Sequence, residues 1–327
     1  MDDTKTMANT TNSGGRKTRL RLVRMFSANL AIYFPEYSNH FVCPLCKRVI
    51  EFKKPEDANG WVSLAHFVPK SVGGKHVVLT CAECNNFFGS KIDSAYAHAL
   101  AYHRWLAGQR ALPARMSLGE ASLGVEMTKT GSNWHFRVIA RRTNPAHEKC
   151  ALEYICRSAG KFEGELTFRF YNPSALGAEM IHSAVLTLFQ SFGYEYALCP
   201  NADKMRAILR GKLSDPVVQK AVISLESNPE LPVGTVAVLT RPKRFRCFVV
   251  FLPPLTGDKS GFVVMMPGFR KEDWPPYRRF IREVNETLTF SYRVIPTLSA
   301  AELQQPEKRG FGHWAWLRAY EEAVGAE

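Results

Sequence analysis

Cys43-Pro-Leu-Cys46 and Cys81-Ala-Glu-Cys84 form two C-x2-C pairs with 34 residues between them, a pattern that closes four thiolates around one metal ion. A closed set of four sulfurs leaves no position for water or substrate, so zinc held there would be structural. Redox chemistry is the competing reading of one C-x2-C pair, and duplication of the pair argues against it. The loop between the pairs carries further chemistry. Residues 64–93 read LAHFVPKSVGGKHVVLTCAECNNFFGSKID and contain His66, His76 and Asn85. Hydrolysis of a phosphodiester needs a base to activate water and a cation to neutralise charge on the phosphate and the leaving oxygen.

These side chains require particular elements beneath them. Residues 62–66 read as a strand, Gly73-Gly74 as a turn, and 76–80 as a second strand. After Cys84 one helix is expected to run to about Trp105, with Phe88, Ile92, Ala95, Ala99 and Leu100 at helical spacing and Gly108 closing it. A zinc ion would tie the turn before the first strand to the start of that helix. The two strands would then fold back against the helix, so that His66 at the strand end and Asn85 in the first helical turn face each other. His98 and His103 are five apart, not the four that brings ligands together, and read as structural.

The segment resembles the HNH endonucleases, the treble-clef branch of the ββα-metal nucleases. The resemblance rests on His66, Pro69, Gly73-Gly74, His76, Cys81-x-x-Cys84, Asn85 and Lys91, and the ending CNNFFGSKID is similar to a subgroup with C-N-x-x-x-G-x-x-x-D. It implies that His66 is the general base, that Asn85 holds a catalytic Mg2+ or Mn2+, and that His76 braces the loop and orients the base. Lys70, Lys75 and Lys91 would be phosphate neighbours. The position before the base, acidic in most of the family, is Ala65 here. Either one Asn with water holds the metal, since magnesium accepts a mostly hydrated shell, or the metal binds weakly or the domain has lost cleavage. The implied activity is metal-dependent hydrolysis of DNA, with RNA as the other substrate, in a bacterial restriction or phage-defence setting. The alternatives are a zinc-stabilised nucleic-acid-binding protein without catalysis, and a nuclease licensed by a small molecule or protein that the C-terminal region senses.

The bulk composition agrees with a nucleic-acid partner. A net charge of +13 favours a polyanion, because counterions released from phosphates drive association; general solubility or an anionic membrane surface is the competing account. No run of eighteen apolar residues is present, and the first residues do not read as a secretory signal, so a cytoplasmic protein without a membrane span is expected. In that setting the other cysteines, Cys150, Cys156, Cys199 and Cys247, read as small buried hydrophobes.

The 327 residues divide, on the sequence, into a disordered polar tail at 1–18, a zinc-and-nuclease domain at 19–110, and an accessory mixed α/β domain at 111–327. The fold class is α+β. Arg16, Lys17, Arg19, Arg21 and Arg24 line a first helix ending near Ile32, as a nucleic-acid-contacting arm or a solvated face. Beyond 110 a hairpin is expected at 123–128 and 134–140, a strand at 166–171, and strands at 234–240, 246–252 and 261–266. Pro173 opens an apolar helix over Leu176, Met180, Ile181, Ala184, Val185, Leu188, Phe189 and Phe192, capped by Gly193 and read as core. Arg241, Lys243, Arg244 and Arg246 surround Phe245 at a hairpin tip suited to phosphate contact and base stacking, or to solvent exposure alone.

Overall fold

A computed structural model describes residues 13–68, 70, 74, 77–91, 93–158, 163–168, 170–225, 231, 234–241, 247–252, 261–284 and 291–295. The class is α+β, with every sheet antiparallel. Among the described residues no helix is long and apolar enough to cross a membrane.

Two compact units form, and neither follows a boundary at residue 110. One gathers Met1–Asp93, Gly177–Pro254 and Lys259–Glu327; the other gathers Ser94–Leu176 and Leu255–Asp258. The cysteine-bearing segment thus shares its unit with residues more than 80 positions further on.

In the first unit the chain begins with helix α1 (Ser13–Tyr33), which starts inside the stretch expected to be a disordered tail. Burial of Leu22, Val23, Met25, Phe26 and Leu30 holds α1 in the core and carries its polar first turn with it. Strands β1 (His40–Val42) and β2 (Val49–Glu51) form a short hairpin around the first cysteine pair. Strands β3 (Val62–His66) and β4 (Val77–Cys81) form a second hairpin, followed at once by helix α2 (Ala82–Lys91).

The helix expected after Cys84 through Trp105 is described in two stretches, with residue 92 outside the described residues. Helix α3 (Asp93–Leu106) follows α2 and belongs, from Ser94, to the other unit.

The second unit continues with β5 (Leu112–Leu118), β6 (Ala121–Thr130), β7 (Asn133–Val138), helix α4 (Pro145–Arg157) and β8 (Glu165–Phe168), in the sheet order β7-β6-β5-β8. Ala151 of α4 packs on Leu118, Leu123 and Val125, while Trp105 of α3 packs on Leu112 and Met127. Two of the cysteines expected to be buried lie on α4, where Cys150 is half-buried and Cys156 exposed. Ala151 faces the sheet there and the two cysteines flank it, whereas Cys199 and Cys247 are buried as expected.

Back in the first unit, helix α5 (Pro173–Phe192) runs through the core with Met180, Ala184, Leu188 and Phe189 fully enclosed. The short helix α6 (Tyr194–Ala197) and helix α7 (Pro200–Leu209) follow. Strands β9 (Val222–Leu225), β10 (Val236–Arg241), β11 (Cys247–Leu252), β12 (Gly261–Pro267) and β13 (Ser291–Ile295), with helix α8 (Trp274–Val284) before the last, build a five-stranded sheet of order β13-β10-β11-β12-β9.

Gly193 turns the chain from α5 into α6 at φ +60°, and a Cβ there would sit 2.2 Å from Asn29 Oδ1. That oxygen accepts from the Tyr194 amide at 2.9 Å. An alanine must therefore strain its own backbone and displace a buried asparagine. Gly193→Ala is expected to lower the free energy of unfolding by about 2–4 kcal/mol in a urea titration.

Candidate functional site

The first cysteine pair sits on a tight turn that the sequence makes locally. Cys43 N–H donates to Arg48 O and Lys47 N–H to Cys43 O, with Lys47 in the left-handed region at φ 60°. The second pair straddles the junction of β4 and α2. Register places Cys81 opposite Val62, and Cys84 lies one helical turn on with its side chain buried.

The four sulfurs lie within 4.8 Å of one another, and Cys46 and Cys81 are 3.7 Å apart. A tetrahedron with bonds of about 2.3 Å has edges of about 3.8 Å, so the cluster fits a metal ion such as zinc. Backbone amides face the sulfurs as they do thiolates: Arg48 N–H to Cys46, Cys81 N–H to Cys43, and Cys84 N–H to Cys81. Burial pushes the Cys43 thiol far up, whereas hydrogen bonds from Cys43, Cys81 and Cys84 hold Cys46 far below the ordinary thiol range. Four negative sulfurs at this spacing need a cation among them.

Distant residues fasten the turn, a feature that C-x2-C spacing does not announce. Tyr194 Oη accepts from Val42 N–H at 2.8 Å and donates to Val42 O at 3.0 Å. Burial pushes that phenol's pKa well up and keeps it a neutral donor and acceptor. Arg206 donates to Pro44 O, and Arg210 donates to Leu45 O and, at 2.8 Å, to Cys84 Sγ. Lys47 pairs with Asp203 at 2.6 Å. The guanidinium of Arg210 offsets part of the charge that four thiolates bring.

Beside the cluster, β3, β4 and α2 form a ββα arrangement. Asn85, half-buried on the first turn of α2, donates through Nδ2 to Ser63 Oγ at 3.1 Å. With the amide held through its nitrogen, Oδ1 is the atom suited to a hard cation, and the Ser63 hydroxyl puts a second oxygen nearby. Ser63 was not among the residues the sequence singled out. Ala65 shares the strand face of Ser63 and is buried, where a carboxylate stands in the resembled family. His66 ends β3 half-buried, about 10 Å along the strand from Ser63. Among the described residues no second group of three His, Cys, Asp or Glu side chains could hold an ion.

The remaining sequence candidates divide simply. Lys70 and Lys91 are exposed, and Arg241 is exposed at the end of β10. Lys75, His76, Lys243, Arg244 and Arg246 lie outside the described residues.

Helix α5, read from sequence as core alone, brings buried polar groups to both arms of the arrangement. Ser183 Oγ donates to Phe67 O, one residue past His66, and lies 3.4 Å from Glu179 Oε1. His182 stacks on Phe88 of α2 at 4.5 Å, and its Nδ1 is 3.7 Å from Glu179 Oε2. The legible signal was a Glu and a His, i and i+3, inside an apolar stripe.

Because structural zinc binding is coupled to folding, stripping metal with a chelator is expected to lower the thermal midpoint by on the order of 10 °C. Cys43→Ser should reproduce the loss and remove any further chelator effect, while elemental analysis showing no bound metal in the parent chain would contradict the assignment. Against known proteins, no family model, no curated protein and no solved structure matches this chain, so its functional reading rests on the residues themselves.

Proposed function

We propose that the chain is a metal-dependent endonuclease of the HNH type that hydrolyses phosphodiester bonds in DNA. The observation that supports it most is Asn85 fixed on the first turn of α2 against β3, the strand that ends in His66, with the four-cysteine cluster closing the same ββα arrangement. Zinc is the ion proposed for the cysteines, and Mg2+ or Mn2+ for Asn85.

On this reading the His66 imidazole takes a proton from the attacking water, whose oxygen forms the new bond to phosphorus as the bond to the leaving oxygen breaks. A divalent cation held through Asn85 Oδ1 would neutralise charge on the phosphate and the leaving oxygen. Ser63 sets the orientation of the Asn85 amide, and Ser183 fixes the carbonyl that follows His66. His76 is proposed to orient the base, and Lys70 and Lys91 to face phosphates. The excess of positive charge supports a polyanionic substrate.

A second reading is favoured by one residue. Ala65, buried at the place of the family's carboxylate, suits a protein that keeps the fold and the nucleic-acid affinity but no longer cuts. Supercoiled plasmid with Mg2+ or Mn2+ separates the two. The proposal expects metal-dependent nicking that falls roughly hundredfold or more in His66→Ala, and similarly in Asn85→Ala, with the cysteine-bound zinc retained. Binding without cleavage by the parent chain would establish the second reading instead.

A further inference from the structure

Strand β7 carries an aromatic row that the unit's own helices leave open. Every residue of Asn133–Val138 is exposed, and β7 is an edge of its sheet. Trp134, Phe136 and Val138 stand 45%, 44% and 40% exposed. They pair with Lys129, Met127 and Val125 of β6, and so share the sheet face that α3 and α4 cover further in. On β7 the covering is reduced to Trp105 of α3 against Trp134.

Large apolar side chains in a row at a sheet edge invite an occupant, and the charge around them indicates which kind. Lys129 Nζ lies 5.5 Å from the Trp134 ring at one end of the row. Arg141 and Arg142, exposed in the turn that follows β7, belong with Glu126 and Gly124 and not with the row. A phosphate gains from a cation beside exposed rings, and bases gain from the rings themselves. Trp134 is also braced from behind by Trp105, with ring centroids 5.0 Å apart, so it is presented with little freedom to lose.

Spacing narrows the partner further. Side chains at i and i+2 on a strand are about 6.8 Å apart, twice the rise of about 3.4 Å per nucleotide in one strand of a duplex. A duplex hides its base faces, whereas an extended single strand offers one base per aromatic ring at this interval.

We propose that this face binds single-stranded nucleic acid, with successive bases on Trp134 and Phe136 and a phosphate on Lys129. Lys129 is a flexible cation that can leave the indole for a phosphate. The site stands whether or not His66 cuts.

The test uses the full chain carrying His66→Ala, so that any cleavage leaves the probe intact, and anisotropy of a fluorescent oligothymidylate beside a hairpin duplex. Trp134→Ala with Phe136→Ala is expected to weaken oligothymidylate binding roughly tenfold or more, with duplex binding changed by less than about twofold. Trp134→Phe with Phe136→Tyr, which keeps two stacking rings, should restore most of the affinity and guards against a folding artefact. Charge reversal at Lys129→Glu should weaken binding and flatten its salt dependence. Unchanged oligothymidylate affinity in the alanine pair overturns the proposal, as does an equal loss on the duplex. It is likewise overturned if the parent is a dimer that the alanine pair dissociates, which would make the row a contact between copies. Plasmid nicking by the parent chain is read separately, so failure here leaves the nuclease reading untouched.

Discussion

Four sulfurs within 4.8 Å of one another cannot all carry charge unless a cation sits among them, and the first unit is arranged around that constraint. A metal ion there would fix the hairpin turn at Cys43–Cys46 to the junction where β4 becomes α2. Once that junction is fixed, β3 must lie beside β4, and the first turn of α2 must face β3. The position of Asn85 against Ser63 follows from the cluster far more than from any preference of its own. Without the cross-link, a hairpin of two five-residue strands would be too short to hold the arrangement.

Charge compensation then spreads outward from the thiolates. Arg210 reaches Cys84, while Arg206, Arg210 and Tyr194 take up backbone groups of the cysteine turn that would otherwise be buried unpaired. On the other side, Glu179, His182 and Ser183 of α5 touch the chain just after His66 and the helix just after Asn85. A polar seam of this kind inside an apolar helix costs desolvation, so its place against both arms of the candidate site is the more informative.

What the sequence made legible was local. The C-x2-C pairs, the strand at 62–66, the hairpin spanning 123–140 and the helix opened by Pro173 and ended at Gly193 each carry a short-range signal, in spacing, alternation or a turn glycine. Helix α7 was missed because its binding residues, Arg206 and Arg210, act at a separation of more than 120 residues, where periodicity says nothing. Helix α8 hid behind Pro275-Pro276, which reads as a loop until both prolines are placed in the first turn. In the candidate site, His66 and Asn85 were legible through the cysteine register, whereas Ser63 and Ser183 were not, since a serine in a strand or helix carries no pattern of its own.

The tie between Val42 and Tyr194 spans 152 residues, and that between Leu45 and Arg210 spans 165. As the ribosome extends the chain, Cys43 and Cys46 emerge long before the residues that will seat their turn. At roughly 5–20 residues per second, they wait on the order of ten seconds for that scaffold. During that interval the thiols depend on early metal capture to escape oxidation or mispairing. The cysteine module is thus poorly suited to life as a portable cassette: cut from the chain after α2, it would leave behind the tyrosine and arginines that complete it.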